Sequence, residues 1–319
     1  MRVLVTGAAG FLGRRLCDTL LANGNLTDSN GKRRELSELH LADITEPPVP
    51  ASRSVSVSTL RGDLSDPAFV KKLIRGGYDS IFHLASYLTL HAEKNPARAF
   101  AVNVEALRRI ADGAEGCPKL VFTSSIAVFG GELPQTVDDD VAPAPTTTYG
   151  THKAINELLI ADYSRHGRID GRALRLPIVL IRPGEPQPVI SDRVAGIVRE
   201  PLSGRDVTAP LAADTLVPVV SVGAAVQALI RLHDLPADRL PAQRAFNLPA
   251  LSVTIDEMAK AAARHGAAGK VSYQPDPDVQ AIVDGWPARF VSERAAALGI
   301  GPDTGFDAVI EDYLNHVNR

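Results

Sequence analysis

The stretch that most limits what this chain can fold into is its start, MRVLVTGAAGFLG. Val3, Leu4 and Val5 form a short apolar run rich in β-branched residues, too brief for a helix and suited to a buried strand. Gly7, Gly10 and Gly13 follow at G-x-x-G-x-x-G spacing, and a helix is predicted from about Phe11 to Asn23. The spacing answers a specific physical need. The orphan N–H donors and the dipole of a helix N-terminus attract an anion such as a pyrophosphate. A side chain at the approach point would hold it away. Gly7 permits the turn, Gly10 the close approach, and Gly13 the packing of helix on strand. The motif predicts a bound dinucleotide and says nothing of what is done with it.

Strands and helices then alternate. Strands are expected over Glu38–Ala42, Ser54–Leu60, Tyr78–Leu84, Lys119–Ser124 and residues 172–181. Helices are expected from Pro67 and over Ala97–Gly113, the latter with an apolar stripe of Phe100, Val104, Leu107 and Ile110. This order specifies an α/β fold, a doubly wound parallel sheet of the Rossmann type. Asn25–Leu36 is polar and turn-rich, without a periodic apolar face, and reads as an exposed insertion. After Arg182 the character changes. PGEPQP is proline-dense, and shorter elements follow at Ser191–Arg199, Leu216–Val220, Gly223–Leu232, Ala245–Leu248 and Ser252–His265. The expected division is a dinucleotide-binding domain over 1–181, with 213–248 returning to it, and a smaller C-terminal substrate lobe over 182–212 and 249–319.

The chemistry-bearing residues sit where that sheet would place them. Asp43 ends the second strand, where a carboxylate accepts hydrogen bonds from the adenosine ribose and repels a 2′-phosphate, favouring NAD over NADP. Its distance from the glycines is about 30 residues rather than about 20, and the insertion explains the excess. Asp63 in GDLSD is placed to reach an adenine amino group. Asn103 is polar on a largely buried helix and can link the cofactor site to backbone. His83, between Phe82 and Leu84 in a central strand, reads as structural. Tyr149 and Lys153 lie four apart in a helical stretch, so one turn stacks them on one face. Free tyrosine titrates near 10, too high for a base at neutral pH, and a neighbouring ammonium lowers it. Tyr149 is the candidate base for taking a hydroxyl proton, Lys153 its tuner, and Ser125 the hydroxyl that orients the substrate oxygen.

Composition narrows the partners. A net charge of −3 gives no reason to expect nucleic acid or phospholipid. No apolar run nears the roughly 18 residues of a membrane helix, and the strand at the N-terminus carries no leader pattern. Cys17 and Cys117 are far apart and read as small apolar residues, supporting neither a disulfide nor a metal site. A reduced, cytoplasmic protein of 319 residues is expected, with a small-molecule substrate.

TGAAGFLG, GDLSD, HLAS, SSIAVFG and YGTHK, in this order, resemble the extended short-chain dehydrogenase/reductase family, which includes sugar-nucleotide epimerases and dehydratases. The resemblance implies NAD as cofactor. It implies an NAD site lined by Gly7, Gly10, Phe11, Leu12, Gly13, Asp43, Asp63, Leu64, Leu84, Ala85 and Ser86, completed by Asn103, Tyr149, Lys153 and Pro177. It places the catalytic hydroxyl at Ser125 and implies a homodimer. Nucleotide-sugar enzymes of the family commonly carry an asparagine three residues after the arginine of the sixth strand. Here that place, counted from Arg175, is Ile178, which points to a smaller substrate. LRLPIVLIRPGEPQP, IVREPLSG, AFNLPALSVTIDEM and DGWPARF further resemble NAD-dependent dehydrogenases of small sugar acids. That resemblance implies oxidation of a 2-hydroxyl, with Arg182 and Arg199 as candidate cations for the carboxylate. A nucleotide-sugar epimerase or dehydratase is the alternative.

Overall fold

The computed structural model describes residues 1–52, 54–186 and 189–317; Gln187 and Pro188, within the proline-dense stretch, lie outside them. Contacts divide the chain into two units. The first comprises Met1–Val128, Pro145–Arg175 and Leu229–Phe246. Its elements are β1 (Arg2–Thr6), α1 (Phe11–Asn23), β2 (Glu38–Asp43), β3 (Ser56–Arg61), α2 (Pro67–Ile74), β4 (Ser80–His83), α3 (Thr89–Lys94), α4 (Pro96–Phe100), α5 (Ala106–Asp112), β5 (Lys119–Ser125), α6 (Thr148–Arg165), β6 (Asp170–Leu176) and β7 (Ala245–Asn247).

The seven strands form one sheet in the order β7-β6-β5-β4-β1-β2-β3. It is the expected doubly wound arrangement, with β1 parallel to both β2 and β4, and β4 parallel to β5. The chain builds outward from β1 to β3, then crosses over to β4 and builds the other way. Such a reversal leaves a crevice at the carboxyl ends of the central strands. Register aligns those ends, pairing Thr6 with Ala42, Thr6 with His83, and His83 with Phe122. Leu4, Ile81, Leu120 and Phe122 of the strands are buried with Leu107, Ile110 and Ile160 of the helices in one core cluster.

Four expectations are corrected in detail. The insertion is no plain loop: Asn25–Thr27 pairs antiparallel with Arg33–Glu35, and Leu26 and Leu36 are buried. Two inward residues are too few to give a periodic signal. The helix expected over Ala97–Gly113 is interrupted by a π-helical turn, Ala101–Glu105, between α4 and α5. Val104, Leu107 and Ile110 are buried, whereas Phe100 is 41% exposed. The sixth strand is two: β6 ends at Leu176, and Ile178–Leu180 pairs instead with Leu216–Ser221. Pro177 between them has no N–H to continue a ladder. Finally, Ser252–Thr254 is strand rather than helix, and the helix Ile255–Arg264 starts from a capping box between Thr254 and Glu257.

The second unit comprises Phe129–Ala144, Leu176–Ala228 and Asn247–Arg319. Its three-stranded sheet runs Ile178–Leu180, Leu216–Ser221, Leu251–Thr254. The helix Ile190–Leu202 packs on Ile255–Arg264. These bounds differ from the expected division: the first unit ends at Arg175 rather than 181, residues 129–144 group with the second, and only 229–246 of the stretch 213–248 return to the first. Among the described residues no helix is long and apolar enough to cross a membrane, and no group of three or more metal-ligating side chains occurs.

Candidate active site

The glycine turn closes as its spacing requires. Gly7 has φ +74°, a left-handed conformation that disfavours any side chain. A Cβ on Gly13 would overlap the Gly7 carbonyl oxygen, so α1 can reach β1 only with glycine there. Gly10 is the N-cap of α1 and no side chain caps the amides that follow it, which include Phe11, Leu12 and Gly13. The turn thus offers backbone donors in a loop whose other side chains, those of Ala8 and Ala9, are single methyl groups, which fits a pyrophosphate. Asp43 lies beside it: its carboxylate accepts from the Ala9 amide at 3.0 Å and from the Thr45 amide at 3.1 Å. Asp63 accepts from Arg98 at 2.7 Å and from the Ser65 amide at 2.8 Å, with Leu64 buried between. Leu84 and Ala85 continue β4, their amides bonded to the carbonyl and hydroxyl of Thr6.

The second group is assembled where α6 meets the end of β5. Thr147 caps α6 by accepting from the Gly150 amide at 3.0 Å. Glu93 of α3 accepts from the Thr148 amide at 2.7 Å and its hydroxyl at 3.0 Å. A Cβ on Gly150 would overlap the Ala127 carbonyl oxygen, so glycine at this position lets the first turn of α6 close on the turn after β5. Tyr149 is thereby hydrogen-bonded with Ser125 and Ser86. Ser125 Oγ also accepts from the Ala127 amide at 3.1 Å. One turn on, Lys153 Nζ donates to the Thr123 carbonyl at 2.6 Å and lies 4.4 Å from the Phe122 ring centre and 5.4 Å from that of Tyr149.

Asn103, in the π-helical turn, orders the loop that carries Ser86. Its Oδ1 accepts from the Tyr87 amide at 2.7 Å and from Ser86 Oγ at 3.2 Å, and its Nδ2 donates to the Tyr87 carbonyl at 3.0 Å. Its own carbonyl accepts from Asn156 of α6 at 2.7 Å. A π-helical turn redirects a backbone group out of the regular ladder, and such turns often mark functional sites.

Burial dominates the electrostatics. The Tyr149 phenol is pushed up to about 12 by burial, partly offset by its hydrogen bonds with Ser125 and Ser86. Lys153 is pushed down to about 7 by burial, opposed by Glu157. The expected lowering of Tyr149 by Lys153 is therefore not what this geometry gives. His83 is fully buried, paired with Thr6 Oγ1 at 2.8 Å, and held down to about 3 by burial and then by Lys153. It is neutral at working pH.

Pro177, Arg182 and Arg199 lie in the second unit. Arg199 is buried, and its guanidinium is engaged by Asp192 at 2.9 Å, Glu200 at 2.8 Å and the Arg182 carbonyl at 3.1 Å. Four residues of the first unit escaped the sequence reading as parts of the site: Gly150, Glu93, Glu157 and Arg175. Glu157 carried a signal, standing four residues after Lys153 on the same helical face. Arg175 served only as a landmark.

The NAD dependent epimerase/dehydratase family matches residues 3–248. A D-erythronate dehydrogenase of Cupriavidus necator is 42% identical over 98% of this chain and 98% of its own. One of Haemophilus influenzae is 36% identical over 99% of each. Among solved structures, a nucleoside-diphosphate-sugar epimerase from Agrobacterium tumefaciens is 33% identical, with a TM-score of 0.92 over 99% of this chain and 94% of that one.

Proposed function

Because this chain belongs to the NAD dependent epimerase/dehydratase family, of the extended short-chain dehydrogenase/reductase type, we propose that it is an NAD-dependent dehydrogenase. It would oxidise the 2-hydroxyl of a small sugar acid, with D-erythronate as substrate and 2-oxo-D-erythronate as product. One observation carries the chemistry: the Tyr149 phenol, hydrogen-bonded with Ser125 and one turn from Lys153, at the carboxyl edge of the sheet. The substrate rests on the two D-erythronate dehydrogenases that match nearly end to end.

In this reading the glycine turn holds the pyrophosphate and Asp43 the adenosine ribose. NAD, when bound, supplies the two-electron acceptor. Tyr149 takes the proton of the substrate hydroxyl and Ser125 orients its oxygen. Lys153, when protonated, would stabilise the phenolate as it forms. Arg182 and Arg199 are the candidate cations for the carboxylate, and Arg199 is engaged by two acidic side chains. The exposed Leu158 of α6, 73% accessible, supports a homodimer built through that helix.

The test is a panel of C3 to C6 aldonic and uronic acids with NAD and NADP, followed by NADH or NADPH absorbance. D-Erythronate with NAD should give steady NADH formation, and NADP far less because Asp43 repels a 2′-phosphate. Tyr149→Phe should lose turnover by about 10²-fold or more, the scale of general-base catalysis, while NAD still binds. A flat trace with every acid overturns the dehydrogenase reading in favour of an epimerase, which returns its hydride and accumulates no NADH.

A further inference from the structure

Lys153 is buried, and burial favours its neutral form. The proposed chemistry requires its charged form, so something must hold the charge there. The buried groups behind it supply a candidate. Glu157, one turn further along α6, is 5% exposed. Its carboxylate accepts from Ser124 Oγ at 2.5 Å, from Arg175 Nε at 2.9 Å and from an Arg175 terminal nitrogen at 2.8 Å. One side chain therefore ties α6 to β5 and to β6. Ser124 stands between Thr123, whose carbonyl holds Lys153 Nζ, and Ser125, the partner of Tyr149.

We propose that Glu157, clamped by Arg175 and Ser124, is a positioning residue that fixes the end of β5 and sets a counter-charge one helical turn from Lys153, beside Tyr149. The inference deepens the dehydrogenase reading and rests on it for the role of Lys153. A purely mechanical strut between strands would need no charge opposite Lys153. Glu157 is the carboxylate that raises the affinity of Lys153 for its proton. The other groups around this spot do not supply that effect. His83 of β4 is buried and neutral and so offers Lys153 no charge. Arg175 of β6 bears the same sign as the lysine. Glu93 of α3 faces the start of α6 and His152. β5 contributes the Thr123 carbonyl and the Phe122 ring.

The chain has eight lysines, so a full-length protein carrying ¹³Cε-lysine gives few enough signals to follow, with Lys153 assigned through Lys153→Arg. Glu157→Gln keeps the shape and removes the charge; the Lys153 midpoint should fall by about one pH unit. Arg175→Met should move it the opposite way. The double variant, which removes one charge of each sign, should bring it back near the parent value. Turnover at neutral pH should drop about fivefold in Glu157→Gln and recover in the double variant. An unmoved midpoint in Glu157→Gln overturns the proposal. Should that variant fail to fold, an unmoved or lowered midpoint in Arg175→Met does so instead. The titration needs no turnover, so it separates this inference from the dehydrogenase reading, which Tyr149→Phe decides.

Discussion

Gly150 sets how near Tyr149 can come to Ser125. An added methyl would overlap the Ala127 carbonyl and crowd the Pro145 ring, and helix backbone cannot yield as a flexible side chain would. Gly150→Ala should therefore push the first turn of α6 outward. The expected outcome is a loss of about 1–3 kcal/mol in stability, typical of overpacking, with a fall in kcat of tenfold or more from the displaced phenol. Denaturant midpoints and initial rates measure the two; an alanine variant with the parent kcat would refute the close-approach argument. The same tightness explains the titration pattern. Burial is the largest cause at both groups, raising the Tyr149 phenol and lowering Lys153.

At the scale of the element, α6 carries both groups, and its first turn is held from two sides. Thr147 caps it locally, and Glu93 reaches it from α3. Thr147→Ala should lower the unfolding free energy by about 1 kcal/mol, the usual worth of such a cap, as read from urea melts. A change within a few tenths would show that Glu93 alone suffices. The cap is a local feature, a threonine directly ahead of its helix. Glu93 is not local, because it lies 55 positions from Thr148 and meets it only through the packing of α3 on α6. The π-helical turn was hidden for a related reason. Its Val104 is followed by the buried Leu107 and Ile110 as a helical stripe demands, and the ladder shift shows only in the backbone, where the Ala106 N–H donates to the Ala101 carbonyl five residues back.

At the scale of the molecule, the first unit buries two neutral histidines, His83 and His233. Burial holds His83 down to about 3 and His233 down to about 4, against about 6.5 for an unfolded chain. The unfolded state therefore binds protons that the native state refuses. Stability contributed by these groups is present above about pH 6.5 and is lost as pH falls toward the folded values. Melting temperature should already decline between pH 6.5 and 5.5, above the range where carboxylates titrate, and His83→Gln should flatten that decline. A level melting temperature across this window would contradict the neutral, buried assignment.

Sequence by itself determined the parts of this protein that depend on neighbours along the chain. The G-x-x-G-x-x-G turn and the alternation of strand and helix dictated a doubly wound sheet. The four-residue spacing of Tyr149 and Lys153 stacked them on one helical face, because a helix repeats every 3.6 residues. Tertiary structure alone decided which strands lie side by side at the crevice, and so which distant residues meet. Ser124, Glu157 and Arg175 come from β5, α6 and β6, and only the strand order makes them one cluster. It also reversed the expected titration of the tyrosine–lysine pair. Spacing fixes that two groups are near each other, but their proton affinities depend on how much water packing leaves around them, and that is set by the whole fold.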